Sequence, residues 1–212
     1  MAADNILILG IGNLLWADEG FGVRCVERLN QRYRFPEQVK LLDGGTQGIY
    51  LVQHVQEADV LIVFDAIDYG IKPGTLKIVR DDEVPKFMGA KRMSLHQTGF
   101  QEVLAMAELT GRYPRELMLI GVQPELLEDF GGSLTGSVRA QLDPAIERAL
   151  DYLASLGVVP LAVESELESH EALSPRQLAL ERYEQGRPDS GEAFRHGDVR
   201  FMNLYAPAAE KS

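Results

Sequence analysis

The run Asn5-Ile-Leu-Ile-Leu-Gly10 decides the fold, because it is short, continuously apolar and closed by a glycine. A strand buried on both faces has this pattern, since helices cover both sides of a parallel sheet. Val60-Leu-Ile-Val-Phe64 is a second run of this kind, residues 117–122 form a third, and residues 39–42 form a shorter strand. The sequence therefore predicts a sheet built from these four strands.

Apolar residues between the strands recur at the spacing of amphipathic helices. Helices are predicted at residues 20–34, around residues 49–55, at residues 100–107 and at residues 142–157. The turn signal Pro73-Gly74 precedes an edge strand at residues 75–79, and residues 80–98 are expected to be a polar, irregular connection.

This alternation predicts one α/β domain over residues 1–160, in which a mostly parallel, twisted sheet has helices on both faces and one antiparallel edge strand. Residues 161–212 are expected to be an acidic and polar tail, partly helical or disordered. Ser174-Pro-Arg-Gln177 resembles a capped helix start, which Gly186 would end. An alternative is that Phe201-Met-Asn-Leu-Tyr205 docks on the domain or on a partner.

The composition narrows the class of protein. A formal net charge of −11 opposes a nucleic-acid-binding surface, which requires clustered Lys and Arg. The single cysteine, Cys25, excludes an internal disulfide and a cysteine-based metal cage. Neither a signal peptide nor an apolar run of about 20 residues is found, so we expect a cytoplasmic protein that does not bind membranes.

Polar residues follow the predicted strands where ligands bind in open parallel sheets. Asp18-Glu19 follow the first strand, Asp43 ends the second, Asp65 ends the third, and His96 lies in the later connection. Carboxylates gathered in one crevice repel each other unless one is protonated or a cation binds, and one imidazole with two carboxylates suits first-row metals. Strand-end aspartates also commonly cap the next helix or turn, so a purely structural role stays open.

The turn Gly10-Ile-Gly12 begins like a dinucleotide fingerprint but lacks the third glycine, and no Walker lysine follows it. The glycine turn by itself leaves a phosphate- or nucleotide-binding α/β protein as an alternative. The surplus of carboxylates at the strand ends argues against an anionic ligand there.

At these strand ends the sequence resembles the nickel–iron hydrogenase maturation endopeptidases, in the branch that serves membrane-bound uptake hydrogenases. The resemblance covers about residues 5–160 and lies in several loops that follow the family's order. The matching stretches are Gly10-Ile-Gly-Asn-Leu-Leu-Trp-Ala-Asp-Glu-Gly-Phe-Gly22, Asp43-Gly-Gly-Thr-Gln-Gly48, Asp65-Ala-Ile-Asp-Tyr-Gly70, Ser94-Leu-His-Gln97, Gly121-Val-Gln-Pro124 and Gly131-Gly-Ser-Leu134.

The resemblance implies an endopeptidase that removes the C-terminal extension of the hydrogenase large-subunit precursor after nickel insertion. It implies that Glu19, Asp65 and His96 contact nickel carried by the precursor, and that Asp43 positions substrate or assists proton transfer. Other divalent metals are expected to occupy the site in vitro, the protein is expected to be a monomer, and Asp18 is a candidate to substitute for Glu19. A chaperone that checks the metal without cutting the precursor is the alternative.

Overall fold

The structure is a computed structural model that describes residues 4–84, 95–163 and 172–187, without the side chains of residues 95–98 and 176. Its strands are β1 (Ile6–Ile11), β2 (Tyr33–Arg34), β3 (Val39–Gly45), β4 (Val60–Ala66), β5 (Leu76–Arg80), β6 (Glu116–Val122) and β7 (Leu161–Ala162). Its α-helices are α1 (Phe21–Arg32), α2 (Val52–Glu57), α3 (Leu95–Leu109), α4 (Gly136–Arg139), α5 (Leu142–Ser155) and α6 (Leu180–Gln185). Short 3-10 helices lie at Ala17–Gly20, Gly48–Leu51, Asp81–Glu83 and Arg176–Leu178.

The main sheet has the strand order β3-β1-β4-β6-β5 within the described residues. β3, β1, β4 and β6 are parallel, and β5 pairs antiparallel with β6 at the edge. The predicted three-layer α/β fold with one antiparallel edge strand is confirmed. The chain leaves β1 toward β3 and then returns to β4 on the other side of β1, so the strand order reverses between β1 and β4. Ligands bind at this switch point in open α/β sheets.

Alternate residues of each strand enter two separate hydrophobic cores, as the two-residue period of a strand requires. Ile62 and Phe64 pack with α1 and α5 on one face, whereas Leu61 and Val63 pack with α2 and α3 on the other. The odd-numbered positions of β4 therefore face α2 and α3.

Glycines let α1 lie directly against the sheet. A Cβ at Gly22 would overlap the carbonyl oxygens of Phe64 and Ile11, and a Cβ at Gly10 would overlap the carbonyl oxygen of Gly22. This contact fixes the turn Ala17–Gly20, which precedes α1, over the ends of β1 and β4.

The predicted connection at residues 80–98 is wrong at its end, because α3 already begins at Leu95. His96 therefore lies in the first turn of a helix and not in a loop. The helix continues through Gly99, where a Cβ would come within 3.3 Å of the Cα of Gly48. Glycine in a helix interior costs about 1 kcal/mol, but here it allows the start of α3 to approach the turn that follows β3.

Residues beyond the predicted boundary at 160 take part in the fold. β7 pairs antiparallel with β2, and residues 172–187, here named the strap, lie on the domain and include α6, which ends before Gly186 as predicted. The helix predicted to start at Ser174 begins only at Leu180, after a 3-10 turn. Residues 201–205, the alternative docking segment, lie outside the described residues. In the described part of the chain no helix combines the length and apolar character needed to cross a bilayer.

Candidate active site

Glu19 lies in the 3-10 turn between β1 and α1, where its side chain is half-buried. Its backbone N–H donates to the carbonyl of Trp16 over 2.9 Å. A Cβ at Gly12, whose φ is +134°, would overlap the carbonyl oxygen of Glu19. Only glycine therefore permits this turn to fold back on the end of β1, which places Glu19 at the switch point.

Asp18 differs from its neighbour, because it is fully buried and holds residues 123–135, here named the rim loop. One carboxylate oxygen accepts hydrogen bonds from the backbone N–H groups of Glu125 and Leu126, both at 2.9 Å, and from the Thr135 hydroxyl at 3.1 Å. The other accepts the Thr135 N–H at 2.7 Å. Asp18 is therefore committed to the rim loop, and the expectation that it could substitute for Glu19 is wrong.

Asp65 is the last residue but one of β4 and is fully buried. The alternation of β4 directs it to the face that α2 and α3 cover. Asp65 pairs in register with Gly121 of β6, and a Cβ at Gly121 would overlap the hydroxyl of Tyr69. Burial raises the pKa of the Tyr69 hydroxyl, and the charge of Asp65 raises this pKa further, so Tyr69 keeps its proton beside the carboxylate.

His96 is brought to the same edge of the sheet by its backbone. α3 runs from the carboxyl edge toward the amino edge, because Leu109 at its other end precedes the start of β6. The contact between Gly99 and Gly48 sets the first turn of α3 against the turn after β3, on the face toward which Asp65 points. The His96 side chain is not among those described, and the described side chains alone contain no cluster of three His, Cys, Asp or Glu residues able to hold a metal.

Asp43 lies on the other face of the sheet. It points with Leu41 toward α1, and the Ser174 hydroxyl of the strap donates to its carboxylate over 3.1 Å. Burial raises the pKa of the Asp43 carboxyl, and the charge of Glu27 adds to the rise, whereas Ser174, the Gly45 N–H and Arg24 oppose it. The structure thus gives Asp43 neighbours different from those of Asp65.

An exposed aromatic pair borders the turn of Glu19. The rings of Trp16 and Phe130 meet edge to face with centroids 5.4 Å apart, and the two residues form an isolated antiparallel bridge. Leu15, which precedes Trp16, and Leu126 of the rim loop are also exposed. Sequence reasoning missed this pair, because no local pattern joins residue 16 to residue 130; the apolar residues among the polar ones of the rim loop were the available signal.

A parallel α/β sheet with acidic residues at its switch point is typical of enzymes that act on a ligand held at the carboxyl edge. Comparison with known proteins makes the class definite, since a family model for hydrogenase maturation proteases matches residues 23–152, and the chain belongs to this family. The family predicted from the strand-end motifs is therefore confirmed. The prediction that the protein is an endopeptidase, which hydrolyses peptide bonds, is confirmed with it.

Individual relatives agree with this assignment. The hydrogenase expression/formation protein HoxM of Azotobacter vinelandii is 72% identical over 95% of this chain and 96% of its own. The hydrogenase 2 maturation protease of Escherichia coli is 45% identical over 76% of this chain and 97% of its own. Among solved structures, the hydrogenase maturating endopeptidase HybD from Escherichia coli superposes with a TM-score of 0.71 at 44% identity, over 74% of this chain and 97% of that one.

Proposed function

We propose that this protein removes the C-terminal extension of the large-subunit precursor of a nickel–iron hydrogenase, and that it recognises nickel in the precursor through Glu19, Asp65 and His96. The observation that carries the proposal is that the turn with Glu19 and the end of β4 with Asp65 both lie at the switch point, with the first turn of α3 at the same edge on the Asp65 side. We propose that the precursor belongs to an uptake hydrogenase.

The donor set suits the proposed cargo. One imidazole and two carboxylates are acceptable ligands for nickel and other divalent first-row metals. A precursor without nickel would lack the ion that joins it to these side chains. The site would therefore select loaded precursor through this ion, and the isolated protein would accept other divalent ions in vitro.

Peptide hydrolysis also requires an activated water and a proton for the leaving nitrogen. We propose that Asp43 positions the precursor or assists this proton transfer, since burial keeps the pKa of its carboxyl above the usual value. Its place on the α1 face implies that the precursor crosses the carboxyl edge of the sheet between β3 and β4. We further propose that the protein is a cytoplasmic monomer that binds neither nucleic acid nor membrane.

Incubation of the purified protein with nickel-loaded and nickel-free precursor tests the proposal, with the mass of the precursor as readout. We expect the loaded precursor to lose its extension and the empty one to keep its length. His96→Ala, Asp65→Asn and Glu19→Gln are each expected to lower the rate at least a hundredfold, because each removes a ligand of the cargo.

Glu108→Gln is the matched control, because Glu108 is an exposed acid at the opposite end of α3. It should cleave at the wild-type rate. Wild-type cleavage by all three site variants would overturn the assignment. Tight binding with unchanged precursor mass would instead show a metal-checking chaperone, and a thermal shift caused by nucleotide but not by nickel, zinc or cadmium would favour a nucleotide-binding protein.

A further inference from the structure

The strap is attached to the domain along its whole described length. Leu173 packs against the core formed with α1 and α5, and Ser174 donates to Asp43 near the end of β3. Further along, a guanidinium N–H of the buried Arg24 donates to the carbonyl of Leu178 over 2.5 Å, and the same guanidinium lies 5.7 Å from the centre of the Tyr183 ring. The strap therefore crosses α1 from β3 toward the middle of the sheet.

The far end of the strap is joined to the rim loop by a hydrogen bond and an ion pair. The Ser133 hydroxyl donates to Glu184 over 2.5 Å, and Arg139, just after the loop, forms an ion pair with the same carboxylate. Arg187 forms an ion pair with Asp129 at 2.7 Å, and both side chains are largely buried. Partly buried ion pairs with good geometry contribute more than exposed ones, so these contacts restrict the rim loop.

The restricted loop carries one half of the exposed aromatic pair. Phe130 follows Asp129 directly, and its ring contacts Trp16, whose carbonyl accepts the backbone N–H of Glu19. A continuous path of contacts thus leads from Arg187 of the strap through Asp129 and Phe130 to the turn that carries Glu19. Exposed aromatic side chains beside a peptidase site are suited to apolar side chains of a bound polypeptide.

The strap is not part of the portion shared by the whole family. The family model ends at residue 152, and the Escherichia coli protease is matched over 97% of its length by 76% of this chain. The Azotobacter vinelandii relative, in contrast, matches 95% of this chain. An element that a branch has in addition to the common domain, and that contacts the site, is suited to adjust which precursor is bound.

We infer that the aromatic pair Trp16–Phe130 binds apolar side chains of the precursor next to the cleaved bond, and that the strap holds Phe130 in place for this contact. The inference rests on the proposed function, since it takes the precursor as the occupant. Arg187 and Glu184 are positioning residues in this account, whereas Trp16 and Phe130 touch the substrate.

The test measures both cleavage kinetics and the Kd of nickel-loaded precursor for variants of the full chain. Trp16→Ala and Phe130→Ala should each raise KM and Kd about tenfold with kcat nearly unchanged, because they remove substrate contacts made away from the reacting bond. Arg187→Gln should raise both about fivefold. Arg148→Gln, which removes an exposed ion pair with Asp151 on α5, is the matched control and should leave both unchanged.

A double-mutant cycle separates positioning from general destabilisation. If Arg187 acts through Phe130, the variant carrying both Arg187→Gln and Phe130→Ala should be no weaker than Phe130→Ala alone. Additive losses, or a wild-type Kd and KM for Arg187→Gln, would overturn the inference. Weaker binding by the variants in a protein that never cleaves would support the inference while refuting the proposed peptidase function.

Discussion

Two adjacent acids after β1 differ in burial and in hydrogen-bond partners. Glu19 is half-buried at the switch point, whereas Asp18 is fully buried and accepts three backbone N–H groups and one hydroxyl of the rim loop. Sequence motifs placed both acids at the carboxyl edge of the sheet. They could not show which one serves the fold, because that depends on a loop more than 100 residues away in the chain.

Asp18→Ala is expected to destabilise the protein, because it leaves three N–H groups of the rim loop without their acceptor. Each such group costs roughly 1–3 kcal/mol when buried and less where water reaches it, so we expect a loss of about 3 kcal/mol in the free energy of unfolding. Urea denaturation measures this loss. Glu19→Gln is the matched control, and an equal loss for both variants would contradict the division of roles.

Asp43 gives the stability of the protein a specific pH dependence. Burial raises the pKa of its carboxyl above the ordinary value of 3.8, so the folded state binds this proton more tightly than the unfolded chain does. The stabilising contribution is therefore complete below pH 3.8 and is lost as pH rises through the folded-state pKa. The free energy of unfolding should therefore decrease as pH rises through this pKa. Asp43→Asn should remove the decrease, as measured by denaturation at several pH values.

Ser174→Ala provides the complementary observation. The Ser174 hydroxyl stabilises the Asp43 carboxylate, so its removal should move the pKa of Asp43 further upward in a carbon-13 NMR titration. Ser174→Thr keeps the hydroxyl and should restore the wild-type titration. An unchanged pKa in Ser174→Ala would show that the strap does not contact Asp43 in solution.

At the scale of elements, apolar periodicity predicted the strands and α1 well but placed the start of α3 too late. Phe100 and Val103 carry the periodicity, whereas the turn before them is polar and includes Gly99, which favours a loop in any prediction from propensity. The helix nevertheless begins at Leu95, and Gly99 in its second turn packs closely against Gly48. Such packing between residues 51 positions apart is a tertiary effect that local pattern does not contain.

Gly22→Ala is expected to disrupt the packing of α1 on β1 and β4. The added Cβ would overlap two backbone carbonyl oxygens, which cannot rotate away as a side chain could. Overpacking typically costs about 1–3 kcal/mol, and a loss at or above the upper end is expected here in the free energy of unfolding. Gly136→Ala, at the start of α4, would meet no atom within 4 Å and should be neutral or slightly stabilising; equal losses in both variants would contradict this account.

At the scale of the whole molecule, the alternation of strands and helices predicted the three-layer architecture, and the strand-end motifs predicted that their acids lie at the carboxyl edge of the sheet. The docking of the strap was not predicted, since the tail was expected to be solvated or partly disordered. Its attachment depends on separate polar contacts with Asp43, Arg24, Ser133 and Asp129, none of which produces a hydrophobic period. A polar segment that docks through specific contacts has a composition similar to that of a solvated segment, so the sequence alone does not separate the two.

Truncation after residue 171 tests the strap as a unit. The buried residues of both cores lie between Ile6 and Val158, so the shortened protein should still fold and melt cooperatively. Its Tm should fall by several degrees, because Arg24 and Glu27 become more exposed and Asp129 of the rim loop and Arg139 each lose an ion pair. A chain ending at residue 187 keeps the strap and is the control; loss of a cooperative melt after truncation at 171 would show that the strap is needed for folding.

The central claim is that Glu19, Asp65 and His96 form one site for the nickel of the precursor. A crystal structure of the protein soaked with nickel or cadmium, with the ion located by anomalous scattering, tests it most directly. The account predicts one strongly bound ion with these three side chains at ligand distances, about 2.0–2.2 Å for nitrogen and oxygen donors. An ion bound elsewhere, or one held without Glu19, Asp65 or His96, would contradict it.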